Sequence, residues 1–528
     1  MLKNVVKKAD ICYIVRMKID IENLPQSHDA LKEMIIFLQQ SLHQNQSEFA
    51  AYKQKYACLI EEIRLAKQQR FAPSSEKNVL QSDLFDEAGA ELPEEVLEQL
   101  NEEVTVKSHS RKKRPIRRPL PAYLPREIIV HDISENEKAC SCGEKLVRIG
   151  EEISEQLKYI PAKISVIQHV RPKYACKPCQ ENVKIAPMPT LLLPKSIATP
   201  ELVAHVIISK YCDHIPLYRQ ESIWERMEVD LPRSSLCGWV IKAAELSEPL
   251  VKLLQKNIIG HDYAQADETT VQVMDEIGRD NSTKSYMWCY RGGGERPSIV
   301  YEYQETRGGY HAQLFLTGFK GYLQSDAYSG YNWADKNKDI ISVGCNAHAR
   351  RPFAELVKLA QGTSLAAEAI LFYKKLYKVE KYARENNLPA EARYTLRQTE
   401  SKPVHDAFKI WLDYHLTKTS EQAKIGKAIR YCLNHWIDLT NYLKDGRIEI
   451  DNNLLENAIR PFALGRKNWL FMGSPSGAKA GAILYSLIET CKANNIEPYK
   501  YLCAMLNRIR ECATEDDYRK LLPQFIQF

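Results

Sequence analysis

No stretch of this 528-residue chain approaches the roughly 18 uninterrupted apolar residues of a membrane span, so none is expected. The first 20 residues mix apolar side chains with Lys and Arg and never build the apolar run of a signal peptide. Met17 offers a second start, which would make residues 1–16 an upstream extension. A strong charge of one sign is lacking too: 73 Lys and Arg against 67 Asp and Glu leave a formal net charge of +6, too small to name a partner. Nor does the chain call for a disulfide framework. The 14 cysteines are scattered along a chain rich in Lys and Glu. Several (Cys237, Cys432, Cys491) lie in apolar helical text, where a small buried hydrophobe is the plain reading. That usage fits a reducing cytoplasm.

The length calls for two to four domains, and 44% hydrophobic with 27% charged residues is an ordinary globular composition. From Leu31 to Ala66, the positions Leu31, Ile35, Leu38, Leu42, Asn45, Phe49, Tyr52, Tyr56, Leu59, Ile63 and Ala66 alternate steps of four and three. That is a heptad seam with one polar interruption, read as a coiled coil or as one amphipathic helix packed on its own protein. Pro73 in RFAPSSEK ends it. Local charge follows: nine acids between Asp83 and Glu103, then seven Lys or Arg and no acid between Lys107 and Arg118. In that Pro-containing segment Lys112, Lys113, Arg114, Arg117 and Arg118 are candidate phosphate contacts, against the plainer reading of a solvated linker.

Of the cysteines, one group has metal-like spacing. Cys140 and Cys142 in ACSCGEKL and Cys176 and Cys179 in YACKPCQ suit a four-thiolate structural Zn²⁺ site, with Gly143 helping the chain turn. The first pair is tighter than usual, and His131 is an alternative ligand. Strand-like alternation in EQLKYIPAKISVIQHVRPKYAC would supply a small sheet between the pairs. After Pro194 the text turns helical. Thr199 caps a helix opening with Pro200 and Glu201, a second runs from about Leu217 to Met227, and a third starts after LPRSS with Ser234 or Ser235 as cap and Trp239 on its apolar face. Three short helices resemble a helix-turn-helix, with Arg219, Arg226 and Arg233 to test, although packing support reads the same way.

From Tyr263 a mixed pattern begins: strand YAQAD, turn, strand TTVQVM, then strands KSYMWCYRGG and SIVYEYQ as an antiparallel meander. A helix over Tyr310 to Leu316 leads to strand GYLQSD, and strand IISVG precedes the helix CNAHARRPFAELVKL, which opens with His348, Arg350 and Arg351. This order fits an RNase H-like fold. Asp267 and Asp326 are each placed where a strand ends. Glu456 lies in the helical LLENAIR, on one face with Asn452 and Arg460. Three carboxylates suit two hard divalent ions, Mg²⁺ or Mn²⁺, in phosphodiester displacement. Glu268 follows Asp267 on the opposite strand face and is a poor partner for the same ions, while Asp451 is read as a helix cap. Arg460, Arg466 and Lys467, with Arg350 and Arg351, are the candidate DNA contacts of this region. Trp469 reads as core. A helical insertion over about residues 360–445 separates the second and third acids, and helices around Pro498 close the chain.

These blocks together (RFAPSSEK, LPAYLPREI, SEQLKYIPAKISVIQHVRPKYAC, KYCDHIPLYRQE, ADETTVQV, LQSDAYSGY, AHARRPF and IDNNLLENAIRPFALGRKNWLF) resemble the large transposase of the IS66 insertion-sequence family, of the DDE class. The resemblance implies that Asp267, Asp326 and Glu456 bind the catalytic metal on an RNase H-like core with a helical insertion. It also implies a leucine-zipper-like helix, a zinc domain holding Cys140, Cys142, Cys176 and Cys179, and recognition of the element's terminal inverted repeats, followed by cleavage and joining to target DNA. The expected multidomain α/β layout is a coiled-coil-like helix at 25–70, a charged linker at 71–126, a zinc-binding domain at 127–193, a helical DNA-binding domain at 194–260, the catalytic core at 261–474 and a C-terminal helical domain at 475–528. A homo-oligomer and companion proteins of the same element are expected partners, and no membrane. The alternatives are a catalytically inactive DNA-binding regulator and an RNase H-like nuclease without strand transfer.

Overall fold

The computed structural model describes residues 189–359 and 364–528, with scattered positions between 27 and 49 and between 164 and 187. The chain divides into two compact units, Glu103–Pro189 and the remainder. In the smaller unit β1 (Lys173–Tyr174) pairs antiparallel with β2 (Lys184–Ile185), and these strands bracket Cys176 and Cys179 in sequence. Residues 164–170, expected as strand, join no strand ladder. The four candidate zinc ligands and the basic positions Lys112, Lys113, Arg114, Arg117 and Arg118 lie outside the described residues. So does most of the heptad seam. Its described members Ile35, Leu42 and Phe49 are helical and exposed.

The larger unit is built on five strands: β3 (Tyr263–Gln272), β4 (Lys284–Gly292), β5 (Ser298–Gln304), β6 (Gly321–Ser325) and β7 (Ile340–Gly344). Their order across the sheet is β5-β4-β3-β6-β7. The first three form the expected antiparallel meander, and β6 and β7 run parallel to β3. One expectation is corrected: no turn separates YAQAD from TTVQVM. The strand is continuous because β4 pairs with it from Ala264 to Gln272, so each peptide that a turn would have freed is already in the ladder. Met287, Trp288, Cys289 and Tyr290 of β4 are all buried, as a strand covered on both faces requires.

Among the residues described from 189 onward, three helices precede the sheet: α1 (Pro200–Tyr211), α2 (Leu217–Glu225) and α3 (Arg233–Ile259). Thr199 caps α1 as expected, its hydroxyl accepting from the Leu202 amide at 3.3 Å. The cap of α3 differs from the expected serines. Arg233 already begins the helix, and its amide donates to Glu221 Oε1 of α2 at 2.6 Å, a cap supplied across a turn of the chain. Nor is α3 short: its 27 residues bury Leu236, Val240, Ala243, Ala244, Leu250, Leu254 and Ile258 at helical spacing. These side chains, Trp239 among them, belong to one hydrophobic core with the sheet. The segment 194–260 therefore shares its core with β3–β5.

Helix α4 (Tyr310–Phe315) joins β5 to β6, and α5 (Asn346–Leu359) follows β7. The insertion then supplies α6 (Leu365–Glu385), α7 (Ala390–Leu396), α8 (Lys402–Leu416), α9 (Lys424–Asn434) and α10 (Trp436–Thr440). These helices close a second core over α5, with Phe353, Tyr373, Phe408, Leu412 and Tyr442 at its centre. Last come α11 (Asn453–Trp469), α12 (Pro475–Ala493), α13 (Pro498–Arg508) and α14 (Glu515–Lys520). Helix α12 covers the outer edge of β5. Hydroxyls of Thr490 and Ser486 accept from the Ile299 and Tyr301 amides at 2.9 and 2.8 Å, which satisfies an edge that would otherwise be exposed for strand addition.

Candidate active site

The parallel pairing of β3 with β6 ends at Gln265 opposite Gln324. Two residues further along each strand stand Asp267 and Asp326. Strand side chains repeat with period two, so both acids share the face set by the glutamine pair, just where the ladder opens. Asp326 thus sits at the end of its strand, as expected, whereas Asp267 is inside β3, opposite Cys289 of β4. The opening leaves their carboxylates room to converge. The backbone helps aim them: the Glu268 amide donates to Asp267 Oδ1 at 2.7 Å, and the Tyr328 amide donates to Asp326 Oδ1 at 3.1 Å. At the start of β6, Gly321 adopts φ +123, and a Cβ there would meet the Asp262 carbonyl at 2.2 Å, so only glycine admits this approach of β6 to β3.

Glu456 reaches the same place from the first turn of α11. What fixes that turn is the strap at residues 445–452. Arg397 of the insertion is fully buried, and its guanidinium donates to the carbonyls of Tyr442, Asp445 and Ile448 at 2.8 to 2.9 Å while pairing with Glu380. All five N–H groups are used. Gly446 passes so close to α7 that a Cβ would overlap the Ala390 carbonyl. From the sheet side, Gln324 Nε2 donates to the Glu449 carbonyl at 2.9 Å, and Asn346 Nδ2 donates to the Ile450 carbonyl at 3.1 Å. Asn452 Nδ2 then donates to the Ala266 carbonyl at 3.3 Å, next to Asp267. Asp451, expected as a cap, accepts from the Asn453 amide at 3.1 Å and from Tyr377 of α6 at 2.8 Å, although the N-cap position itself is Asn452.

The neighbouring acids register in the ionisation of Asp267 and Glu268. Although Asp267 keeps some solvent contact, the atoms packed around it make burial the largest cause of a carboxyl held well above its usual range, followed by the charges of Glu268, Asp326 and Glu456. Glu268 is pushed up by burial and by Asp326, against the opposing pull of Arg307 and Tyr331. Its carboxylate is already engaged: Arg307 pairs with it at 2.6 Å and Tyr331 donates to it at 2.9 Å. A set of oxygen donors that repel one another in this way fits a hard divalent cation, which takes oxygen ligands and relieves the repulsion.

Beside Asp326 opens a pocket of about 390 Å³ lined by Arg307, Tyr328, His348, Arg351, Glu355 and Tyr431 among others. Arg307 was not singled out in the sequence. It follows β5 in the polar text ETRGGY, stacks its guanidinium 3.7 Å from the Tyr328 ring centre, and had no signal beyond a cation before two glycines. His348 Nδ1 lies 3.5 Å from Glu456 Oε1. Burial and the Arg351 charge push this imidazole down to about 4, so it is neutral at neutral pH.

Other expected site residues separate. Arg351 lines the pocket. Arg350 is 7% exposed, and its charge opposes the upward shift of the Tyr373 and Tyr377 hydroxyls of α6. Arg466 is half-buried, its Nη1 donating to Thr269 Oγ1 at 3.2 Å and to the Thr270 carbonyl, which ties α11 to β3. Lys467 is exposed and Arg460 half-buried on α11. Trp469 is buried against Phe462 with ring centres 5.5 Å apart, as core.

Residues 195–480, more than half of the chain, match the family described as "Transposase IS66 family". The chain belongs to the IS66 transposase family. Three further IS66 segments flank that match: the "zinc-finger binding domain of transposase IS66" at residues 137–180, the "IS66 C-terminal element" at 486–524, and "Transposase C of IS166 homeodomain" at 58–129. Two relatives from Sinorhizobium fredii (strain NBRC 101917 / NGR234) carry the similarity further. The uncharacterized protein y4qI is 32% identical over 541 residues, covering 96% of this chain and 98% of its own length. The uncharacterized protein y4hP is 34% identical over 430 residues, 77% of this chain and 76% of its own length. An IS66 zinc-finger segment spans all four cysteines of the metal-like group. Among the described residues no helix is long and apolar enough to cross a membrane.

Proposed function

We propose that this IS66 family member is a DNA transposase of the DDE type. It binds the terminal inverted repeats of its insertion sequence and carries out metal-dependent strand cleavage and strand transfer, with Asp267, Asp326 and Glu456 as the catalytic and metal-binding residues. One observation carries the reading: Asp267 and Asp326 stand two residues beyond the last β3–β6 pair, and Asp267 is raised by burial and by the charges of Glu268, Asp326 and Glu456, acids distant in sequence among them. The strand order β5-β4-β3-β6-β7, with an antiparallel meander joined to two parallel strands, supports an RNase H-like core. When bound, a pair of Mg²⁺ or Mn²⁺ ions supplies activation of the attacking oxygen and charge neutralisation at the leaving oxygen of a phosphodiester. Asp267 and Asp326 hold the floor of the site on the rigid sheet, and Glu456 closes it from α11. Arg307, fixed by Glu268 and Tyr328, offers its exposed part to a phosphate beside Asp326, with Arg351 across the pocket. Cys140, Cys142, Cys176 and Cys179 hold a structural Zn²⁺ in the smaller unit, where the β1–β2 pair brackets the second cysteine pair.

Mg²⁺-dependent end cleavage and strand transfer on the cognate element ends, measured for wild type and Asp326→Asn, tests the assignment. The variant is expected to lose about a hundred- to a thousandfold, the scale of losing one transition-state contact. Equal activity in both proteins would sink it, and cleavage without joined products would leave a nuclease.

A further inference from the structure

We propose that Cys345, His348 and Glu456 form a second metal site, one that takes a thiophilic divalent ion such as Zn²⁺ and, in doing so, draws Glu456 away from Asp267 and Asp326. The binding needs no assumption about function; its consequence for catalysis rests on the reading of Glu456 as a catalytic carboxylate.

The three ligand atoms lie within 4.8 Å of one another. Tetrahedral Zn²⁺, with Zn–N and Zn–O distances of about 2.0–2.2 Å, sets two such ligands about 3.4 Å apart; His348 Nδ1 and Glu456 Oε1 are 3.5 Å apart as they stand. The His348 Nδ1 atom is buried and makes no hydrogen bond among the described residues. It is a donor atom already desolvated and aimed at the cluster. Cys345 follows the last residue of β7 and directly precedes α5, and its buried sulfur accepts from the Asn452 amide at 3.3 Å. Burial and the charges of Glu456 and Asp451 hold this thiol well above its usual range, with the Asn452 amide opposing them; a bound cation would answer those carboxylates and release the proton.

The donor set differs in kind from the one on the sheet. Asp267 and Asp326 offer oxygen to a hard ion, whereas a thiolate and an imidazole favour Zn²⁺ over Mg²⁺. Glu456 stands between the two sets and belongs to both. Three protein ligands leave a fourth position open, as in zinc sites that exchange ligands. On binding, the Cys345 thiol gives its proton to solvent while His348 coordinates as the neutral imidazole, so metal uptake releases one proton per site.

Full-length protein with its structural zinc retained is titrated with Co²⁺ as a spectroscopic substitute, without DNA. Wild type is expected to take up one additional equivalent, with a thiolate-to-cobalt charge-transfer band in the near ultraviolet. Cys345→Ser should lose that band, and His348→Gln should weaken the uptake about tenfold or more. The second variant keeps the test open should the serine protein fail to fold. A band of equal intensity in wild type and both variants, or no additional band in wild type, overturns the site. A cleavage assay separates the consequence: Zn²⁺ should inhibit the Mg²⁺-supported reaction and excess Mg²⁺ should restore it. Cobalt binding without inhibition overturns the competition for Glu456 and leaves the site standing, whereas absent cleavage with an intact cobalt band counts against the transposase reading alone.

Discussion

Glu380 and Asp267 are both carboxylates packed into one compact unit, yet their surroundings are opposite. Glu380 is completely buried and meets two guanidiniums: Arg393 at 2.6 Å and Arg397 at 2.8 Å. Arg393 also reaches Glu449 at 2.8 Å and, against the penalty of burial, holds that carboxylate below its usual range. Asp267 instead faces Glu268, Asp326 and Glu456, and burial and these charges raise it. In the insertion Glu380, Arg393 and Arg397 answer one another's charge, which is what a clamp needs. On the sheet the negative charges are left to be answered by something that arrives. The two clusters are also joined, since the strap held by Arg397 and Arg393 runs straight into α11 and sets the position of Glu456.

Removing a cation from the clamp should do the most damage. Arg397→Ala leaves Glu380 with one partner fewer in a site closed to water and should cost about 3–5 kcal/mol, the scale of breaking a buried pair, read by urea denaturation. A loss below about 1 kcal/mol, the level of an exposed pair, would break the contrast. The carboxylate site should respond to a ligand instead. At a hundred times its dissociation constant, Mg²⁺ should stabilise wild type by about 2.7 kcal/mol in thermal melts, and stabilise Asp267→Asn clearly less.

In chelator the same Asp267→Asn should be more stable than wild type, by about 1–2 kcal/mol at pH 8. The sign follows from the raised carboxyls. Asp267 and Glu268 contribute stability that is complete below their unfolded values near 4 and is lost as pH rises through the raised folded values. The advantage of the asparagine should therefore grow with pH and vanish in acid, and an advantage independent of pH would refute the repulsion. The smallest effect is expected for Tyr377→Phe. It removes the 2.8 Å bond from α6 to Asp451, costing about 1 kcal/mol, with a partial fall in cleavage as the start of α11 loosens.

Much of the sheet was legible because its strands are short apolar runs bounded by turn residues. KSYMWCYRGG, SIVYEYQ, GYLQSD and IISVG all fall where β4, β5, β6 and β7 lie. The apparent break at Asp267–Glu268 misled, because two acids in a strand look like a turn until β4 is seen to pair across them. Helical spacing put Glu456 with Asn452, but the role of Asn452, a bond to the Ala266 carbonyl 186 residues earlier in the chain, has no local signal. Arg393 and Arg397, four apart on helical text, read equally well as a solvated face. Burial alone distinguishes them, and burial is a property of the folded chain.

From the residues came the acids that belong together, the insertion that separates two of them, the cysteine pairs spaced for zinc, and the family itself. Each is carried by short-range pattern: periodicity of two or of 3.6, turn chemistry, or blocks of matching text. Only the tertiary structure decided which charges are spent on holding the fold and which are left for a ligand. Arg350 and Arg466 went to packing, Arg307 and His348 entered the site, and Glu380 was neutralised while Asp267 was not. The physical reason is that the energy of a charge depends on the groups and the water within a few ångströms of it, and in this protein those neighbours come from distant segments, as where Arg466 meets Thr269 197 residues away.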